Sequence, residues 1–355
     1  MVKPSRYIKD ISPYSITTQE VWSSTKREDP LKADWNEAPF LLDFYKSEIE
    51  KIIKEESIFS WYSDYSSREL NEEIAKFLDI SEGNILTFPG SDTGLETLCR
   101  AFLEPKEKVA VITPTYENFF IYVHQTGAQL KKYELKPPFN LNFDHFRDYI
   151  SSLNNLKAIY LVNPNNPCGY SLDRKELLLL SESFPDVLFI IDEAYIEFSE
   201  EESASLINKN VVVFRTFSKA FGLAGIRLGY AVADHDIIKT LAKIRNGKNI
   251  SMLAQRLGIA ALKNIDLVTQ WICEVKRSRS IFINWCEENQ IKYYPSQGNF
   301  VLLSIKDEPN IVEKLRSRNI FVRDRKKIIN NGFRVTIGSE DHTHRIINEL
   351  DRIIK

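Results

Sequence analysis

Short apolar runs rich in β-branched residues alternate along the chain with longer segments whose apolar residues recur at helical spacing. The runs that predict strands are 84–88, 108–113, 157–162, 187–191, 210–215 and 228–233. Helical spacing between them predicts helices such as 94–103 and 174–184. Because the strands are apolar at nearly every position, both faces of their sheet must be covered. The pattern therefore predicts an α/β fold in which helices flank a mostly parallel sheet.

The pattern changes after about residue 250. A long helical stretch leads into two more apolar strands and a terminal helix, which fall at 251–289, 299–305, 333–338 and 340–354. This arrangement is typical of a smaller α+β domain, and we expect the first 40 residues to join it. The expected organisation is an N-terminal arm of residues 1–40, a large cofactor-binding domain of residues 41–250 and a small C-terminal domain of residues 251–355.

Composition excludes several classes of partner. The 355 residues carry 47 basic and 49 acidic side chains, which gives a net charge of −2. This composition has no excess of positive charge with which to bind nucleic acid or an anionic membrane. Apolar runs such as 187–191 are far shorter than a membrane span. The first 15 residues lack the apolar centre of a signal peptide. We therefore expect a cytoplasmic protein that recognises small molecules in a local site.

The sequence also argues against a metal centre or a redox dithiol. Its four cysteines form no C-x-x-C pair, so we expect free thiols. His342 and His344 form the close histidine pair, and on the predicted terminal helix two such positions do not share a face. We therefore expect both histidines to be solvated at the surface and predict no metal site.

Polar clusters follow five of the predicted strands at the point where each strand ends. The clusters lie at 89–94, 114–116, 163–169, 192–195 and 216–227. Any one of them could be an ordinary turn, a helix cap or a surface ion pair. Five at successive strand ends indicate a ligand site, because open α/β sheets bind ligands beyond the carboxyl ends of their strands.

The residue types in these clusters suit pyridoxal phosphate. Lys219 lies among apolar residues and glycines, a setting that lowers the pKa of an amine and makes it nucleophilic. Asp192 ends a buried strand and needs a partner, which a protonated pyridine nitrogen would supply. Glycine and small hydroxyl residues at 90–94 open a helix whose N-terminus can hold a phosphate.

At these residues the sequence resembles the pyridoxal-phosphate-dependent fold-type I aminotransferases of class I/II, and among them the histidinol-phosphate aminotransferase group. The motifs that carry the resemblance are NPNNPCG at 163–169, IDEAY at 191–195 and RTFSKAFGLAGIRLGY at 215–230. The resemblance covers nearly the whole chain.

The resemblance implies a role for each residue around the cofactor ring. Lys219 would bind the cofactor covalently and then shuttle a proton, and Asp192 would bind the pyridine nitrogen. Tyr195 and Asn166 would hydrogen-bond the phenolic oxygen, and Tyr116 would stack on the ring.

Further residues are implied at the cofactor phosphate. The candidates within the chain are Ser91, Asp92, Thr93, Thr216, Ser218 and Arg227. Tyr62 would reach the phosphate bound to the neighbouring subunit, so the resemblance implies a homodimer.

The implied substrate residues are fewer. Arg334 would bind the α-carboxylate through its planar guanidinium. Arg323 and Tyr14 would hold a substrate phosphate, and Asn36 lies in a loop at 35–40 that resembles a substrate loop of the group. That loop departs from the family pattern at Ala38 and Phe40, so the substrate stays open.

These residues are compatible with three functions. The favoured one is transamination of a small, phosphorylated biosynthetic carbonyl compound with glutamate as the amino donor. A second is decarboxylation of a phosphorylated amino acid, as in threonine-phosphate decarboxylase. A third is a non-catalytic cofactor sensor, which the lack of a basic patch and of room for a DNA-binding domain disfavours.

Overall fold

The computed structural model of the chain describes residues 2–3, 5–8, 11, 21, 30–55, 57–200, 208–306 and 308–354. The strands in this part are, in chain order, β1 (Leu31–Ala33), β2 (Ile85–Phe88), β3 (Lys108–Thr113), β4 (Gln129–Glu134), β5 (Leu156–Val162), β6 (Leu188–Asp192), β7 (Val211–Thr216), β8 (Gly229–Ala233), β9 (Lys292–Tyr294), β10 (Phe300–Ser304), β11 (Ile320–Asp324) and β12 (Gly332–Thr336). The helices are α1 (Asp43–Ile52), α2 (Ser57–Ser60), α3 (Arg68–Leu78), α4 (Gly90–Phe102), α5 (Asn118–Thr126), α6 (Phe143–Ser151), α7 (Arg174–Ser183), α8 (His235–Ile244), α9 (Met252–Lys263), α10 (Ile265–Glu288), α11 (Ile311–Ser317) and α12 (Glu340–Ile354).

The larger sheet has seven strands in the order β2-β8-β7-β6-β5-β3-β4. Strand β8 runs antiparallel to both of its neighbours, and the remaining pairs are parallel. Helices cover both faces of this sheet. The predicted α/β class with a mostly parallel sheet is confirmed, and all six predicted strands are present.

Two apolar layers explain why the strands of this sheet are apolar throughout. Val109 and Val111 of β3 belong to the layer that contains Leu95 of α4. Ala110, which lies between them, belongs to the opposite layer with Leu177 of α7. Because successive side chains of a strand point to opposite faces, a sheet buried on both sides needs apolar residues at every position.

Strand β4 was missing from the sequence prediction. It lies at the edge of the large sheet, parallel to β3, and each of its residues is exposed or half-buried. Its sequence, QLKKYE, lacks the continuous apolar run that marks the central strands because one face and one edge meet solvent.

A second sheet has five strands in the order β1-β11-β12-β10-β9. Residues 31–33 pair with β11, so the N-terminal part of the described chain adds a strand to a sheet built by the C-terminal part. The helical stretch expected at 251–289 breaks at Asn264 into α9 and α10. The domain limits drawn from the sequence stay a prediction.

The surface position expected for His342 is wrong. Its side chain is buried on α12 together with Ile346 and Leu350, at the four-residue spacing of a helix face that packs on the core. Burial lowers the pKa of His342 to about 4. His344 is exposed, as expected. Within the described residues, no helix is long and apolar enough to cross a membrane, and no acidic, histidine or cysteine cluster could hold a metal ion.

Candidate active site

The polar segments predicted to form a site meet at one edge of the large sheet. Strands β2, β3, β5, β6 and β7 run in the same direction, so their carboxyl ends lie together. Strand β8 runs the opposite way and therefore begins at this edge with Gly229. Hydrogen bonds and ion pairs link most of the predicted side chains there.

Asp192, the last residue of β6, is 4% exposed. Its Oδ2 accepts a hydrogen bond of 2.9 Å from the Tyr160 hydroxyl, and its Oδ1 accepts one of 3.2 Å from the Ala194 amide. Burial raises the pKa of Asp192 to about 7, and the Tyr160 hydrogen bond opposes that rise. These two donors are neutral, so the buried carboxylate suits a cationic N–H group on a bound ligand.

Tyr195 and two asparagines form a second group of partners. The Tyr195 hydroxyl accepts hydrogen bonds from Asn36 Nδ2 at 3.0 Å and from Asn166 Nδ2 at 3.3 Å. All three side chains are buried. The neighbouring amides of the 163–169 loop bind elsewhere, because Asn163 bonds the backbone of Leu172 and Asn165 bonds that of Pro114. Of this loop's amides, Asn166 is therefore the one that joins the predicted cluster.

Lys219 follows β7 and reaches across to the other sheet. Its Nζ donates a hydrogen bond of 2.8 Å to the backbone oxygen of Trp35. Burial lowers the pKa of the Lys219 amine to about 8, with the Glu37 carboxylate acting in the opposite direction. An amine with such a pKa is partly unprotonated near neutral pH and can act as a nucleophile.

The first turn of α4 provides a place for an anion. The helix starts at Gly90, directly after β2, and no side chain caps it. Its first backbone N–H groups have no acceptor within the helix and carry the positive end of the helix dipole. A Cβ on Gly229 would lie 2.5 Å from the Ser91 amide nitrogen, so glycine is needed where β8 passes this turn.

Hydroxyl and guanidinium groups surround the same turn. The Thr216 hydroxyl donates to Ser218 Oγ at 2.9 Å, and Arg227 Nη1 donates to that oxygen at 3.3 Å. Arg227 Nη2 lies 3.7 Å from Asp92 Oδ2. A Cβ on Gly90 would come within 2.5 Å of Arg227 Nη2, so the guanidinium lies directly against the helix start. Such a set of donors fits a phosphate group.

Tyr116 and Thr93 have more local partners. The Tyr116 hydroxyl donates to Asp92 Oδ1 at 2.9 Å, which brings the ring to the α4 side of the cluster. Thr93 Oγ1 donates to the Pro89 carbonyl at 3.1 Å within the helix. Because α4 begins at Gly90, the Thr93 amide already bonds within the helix, so the free amides of the first turn are those of Gly90, Ser91 and Asp92. The role predicted for Thr93 stays a prediction.

The two predicted substrate arginines are neighbours on the small sheet. Arg323 of β11 and Arg334 of β12 are direct cross-strand partners, so their side chains share one face. Arg334 Nη1 donates to Asn166 Oδ1, and its Nη2 donates to the Asp34 backbone oxygen at 2.6 Å. Arg323 is 9% exposed, and its Nη1 has no hydrogen-bond partner among the residues that the structure describes.

One predicted residue, Tyr62, is not in this cluster. Tyr62 is 78% exposed, and the Lys248 ammonium lies 4.2 Å from the centre of its ring. Tyr14 lies outside the described residues.

The sequence prediction missed three contributors to the site. Tyr160 is the hydroxyl partner of Asp192, but it lies within a predicted strand and looks like an ordinary core residue. Trp35 contributes through its backbone oxygen, and no sequence pattern marks that contact. Glu37 acts on Lys219 by its charge, and its place beside Asn36 in the 35–40 loop is the signal that could have found it.

This fold, with a half-buried lysine and a buried aspartate at the strand ends beside a helix N-terminus that can hold an anion, is that of the pyridoxal-phosphate-dependent fold-type I class. The chain belongs to the family "Aminotransferase class I and II", whose model matches residues 33–350. It is therefore an aminotransferase, and the family expected from the sequence is confirmed.

Individual relatives and solved structures agree with this assignment. The chain is 30% identical to a dihydroxyacetone phosphate transaminase of Campylobacter jejuni, with 100% of this chain and 98% of that protein aligned. It is 30% identical to a histidinol-phosphate aminotransferase of a Geobacillus species, with 98% and 97% aligned. The crystal structure of the Sinorhizobium meliloti histidinol-phosphate aminotransferase with pyridoxal-5'-phosphate has the same fold, with a TM-score of 0.89, 23% identity and coverage of 100% and 98%.

Proposed function

We propose that this aminotransferase moves an amino group between glutamate and a small phosphorylated carbonyl compound, using pyridoxal phosphate in a cytoplasmic homodimer. The observation that carries the substrate part of the proposal is the Arg323–Arg334 pair. Like charges directly opposite each other destabilise a sheet, so two buried cations in this register indicate anionic groups on the ligand.

The residues present fit pyridoxal phosphate. Asp192 lacks a cationic partner in the contacts described above, and a ring nitrogen that carries a proton would supply one. The first turn of α4, with Ser218 and Arg227, would hold the phosphate. Tyr195 and Asn166 would hydrogen-bond the phenolic oxygen. When bound, the cofactor supplies an electron sink for the charge that forms as the substrate C–H bond breaks.

Lys219 would perform the proton transfer. Its amine lies at the carboxyl edge of the sheet and has a pKa of about 8, so near neutral pH it can both accept and return a proton. In this proposal Nζ would take the proton from the α-carbon of the amino donor and would deliver it to the cofactor carbon to which the amino nitrogen passes. Asp192 stays ionised against the ring nitrogen throughout.

The two arginines would bind the two substrates differently. Arg334, which lies beside Asn166 and therefore close to the cofactor residues, would bind the α-carboxylate of the amino donor. Arg323 Nη1, which has no protein partner among the described residues, would bind the phosphate of the acceptor. The names of the relatives support a phosphorylated partner, since they refer to dihydroxyacetone phosphate and histidinol phosphate.

The homodimer is supported by an exposed aromatic patch. Phe59, Trp61, Tyr62 and Tyr65 are between 61% and 78% exposed within a stretch of seven residues. Contiguous exposed apolar surface of this kind is typical of protein interfaces. A second copy of the chain seated on this patch would bury Tyr62 and bring it to the site of its partner.

Half-reactions test the proposed function. The loaded enzyme should convert glutamate to its keto acid and then aminate phosphorylated carbonyl compounds from a panel far faster than their dephosphorylated forms. Borohydride reduction of the loaded enzyme should fix the cofactor on the peptide that contains Lys219. Release of carbon dioxide from a phosphorylated amino acid, without exchange with glutamate, would contradict transamination.

A further inference from the structure

The segment that follows β1 lies across the candidate site. The backbone oxygen of Asp34 accepts a hydrogen bond of 2.6 Å from Arg334. That of Trp35 accepts one of 2.8 Å from Lys219. The Asn36 side chain donates one of 3.0 Å to the Tyr195 hydroxyl. This short segment therefore joins the small sheet to three of the side chains that would perform the reaction.

An ion pair joins Lys32 and Glu37, which lie on either side of Trp35 in the sequence. Lys32 Nζ donates to Glu37 Oε2 and, at 3.0 Å, to Asp34 Oδ1. The same ammonium lies 4.6 Å from the centre of the Trp35 ring. Lys32 and Glu37 are both largely buried, with side-chain exposures of 22% and 28%, so solvent screens their charges less than those of a surface pair.

Four charged side chains act on the Lys219 amine. Lys32 belongs to β1, Glu37 to the segment after it, Arg334 to β12 and Asp92 to the first turn of α4. Glu37 is the anion with the largest effect on the pKa of Lys219, which it raises, and Lys32 lowers that pKa. The two members of one ion pair therefore act on the same amine with opposite sign.

We infer that Glu37 is a positioning residue for Lys219, stabilising the protonated amine against the Trp35 carbonyl, and that Lys32 limits this effect by holding the Glu37 carboxylate. The inference rests on the proposed function, in which Lys219 must both accept and return a proton. An amine whose pKa is too high is already protonated at the working pH and cannot accept the substrate proton. An amine whose pKa is too low is rarely protonated and cannot donate a proton. The Lys32–Glu37 ion pair sets the pKa of the Lys219 amine without contacting the substrate.

Substitutions of the two partners should move the same pKa in opposite directions. Glu37→Gln should lower the pKa of the Lys219 amine by about one pH unit, and Lys32→Met should raise it. Lys32→Arg keeps the positive charge and should leave it close to the wild-type value. The pKa is measured on enzyme converted to its amine form by excess amino donor, from the pH dependence of acetic anhydride labelling of the Lys219 peptide.

The Glu73–Lys76 pair on α3 provides the matched control, because neither of its members is among the charged groups that act most strongly on the pKa of Lys219. Glu73→Gln and Lys76→Met remove this ion pair. These variants should leave the labelling curve of Lys219 unchanged. Glu37→Gln should also move the acidic limb of the kcat profile of the amino-donor half-reaction to lower pH, because Lys219 is a free amine only after the donor has bound. A loss of packing alone would not do this.

The possible outcomes separate the inference from the function. Unmoved pKa values in Glu37→Gln, or shifts of the same sign in both variants, would overturn the role of the ion pair. If Lys32→Met fails to fold because Asp34 loses its partner, Glu37→Gln and Lys32→Arg still decide the question. A Lys219 peptide that the aldehyde form of the cofactor does not protect from labelling would instead contradict the proposed function.

Discussion

The Tyr160 hydroxyl donates a 2.9 Å hydrogen bond to the Asp192 carboxylate, and both side chains are almost fully buried. The Tyr160 ring is stacked on Phe119, with 3.8 Å between the ring centres, so the position of its hydroxyl is fixed by the core of the large sheet. A core aromatic residue therefore orients the carboxylate that would bind the cofactor. Hydrogen bonds to a charged acceptor are about twice as strong as those between neutral groups.

Removal of this donor should weaken cofactor binding. Tyr160→Phe should keep the ring packing but leave Asp192 with one donor fewer, which raises the pKa of the carboxyl further and disfavours its ionised form. The expected loss is ~1.5–3 kcal/mol, the worth of a hydrogen bond to a charged group. Titration of the cofactor-free protein with pyridoxal phosphate measures it.

Tyr149→Phe serves as the control for that experiment, because its hydroxyl bonds the Lys132 backbone at an exposed site. An unchanged dissociation constant in Tyr160→Phe, with the cooperative unfolding transition intact, would show that Asp192 does not depend on Tyr160.

The sequence predicted the central strands and most of the site for one physical reason. A sheet buried on both faces requires apolar residues at every position. Polar clusters at the ends of such apolar runs are therefore easy to recognise in the sequence. Lys219, Asp192 and Asn166 were found in this way. Strand β4 was not predicted because an edge strand that is exposed on one side does not need an apolar residue at every position. His342 was predicted to be exposed because it does not share a helix face with His344, but it does share one with the buried Ile346 and Leu350.

Contacts made by backbone atoms could not be predicted. The bond from Lys219 to the Trp35 carbonyl joins residues 184 positions apart, and any residue at position 35 could supply that oxygen. The same holds for the Asp34 carbonyl that receives Arg334. The pairing of Lys32 with Glu37 depends in turn on how the segment bends at Asn36, whose φ is +58°.

Arg323 should affect one half-reaction and not the other. Arg323→Ala should lower kcat/KM for the phosphorylated acceptor by about ten- to a hundredfold, since a charge-assisted contact to phosphate is lost. The glutamate half-reaction should be largely spared, because Arg334 keeps its contacts to Asn166 and Asp34. Single-turnover kinetics of each half-reaction measure the two effects separately.

Arg318→Ala is the control for that variant, because Arg318 lies just before β11 and pairs with Glu349 on the surface at 3.3 Å. Equal losses in both half-reactions, or in neither, would make Arg323 a structural residue and remove the support for a phosphorylated acceptor.

Mixing of two inactive variants tests the role of Tyr62 across a dimer. If Tyr62 completes the site of the partner subunit, a dimer of one Tyr62→Ala chain and one Lys219→Ala chain contains one intact site and one doubly defective site. Random reassortment of equal amounts should then restore about a quarter of the wild-type activity. Activity no higher than that of the parents, in a mixture shown to contain heterodimers, would indicate that each site is built within one chain.

Gly229 should be essential to the anion cradle although it binds nothing itself. A Cβ at this position would lie 2.5 Å from the Ser91 amide nitrogen and 2.8 Å from both the Gly90 carbonyl carbon and the Arg215 carbonyl oxygen, all of them backbone atoms. Gly229→Ala must therefore push the first turn of α4 away from β8, which moves the N–H groups that would hold the cofactor phosphate.

Gly225→Ala, in the 216–227 segment that precedes β8, is the matched control because a Cβ there has no neighbour within 4 Å among the described residues. We expect Gly229→Ala to raise the dissociation constants for pyridoxal phosphate and for inorganic phosphate at the same site by at least about tenfold, one lost hydrogen bond to a charged group or more. Gly225→Ala should leave both constants near their wild-type values. If Gly229→Ala lowers the unfolding temperature but binds both ligands normally, the close approach of β8 to α4 serves stability and the phosphate lies elsewhere.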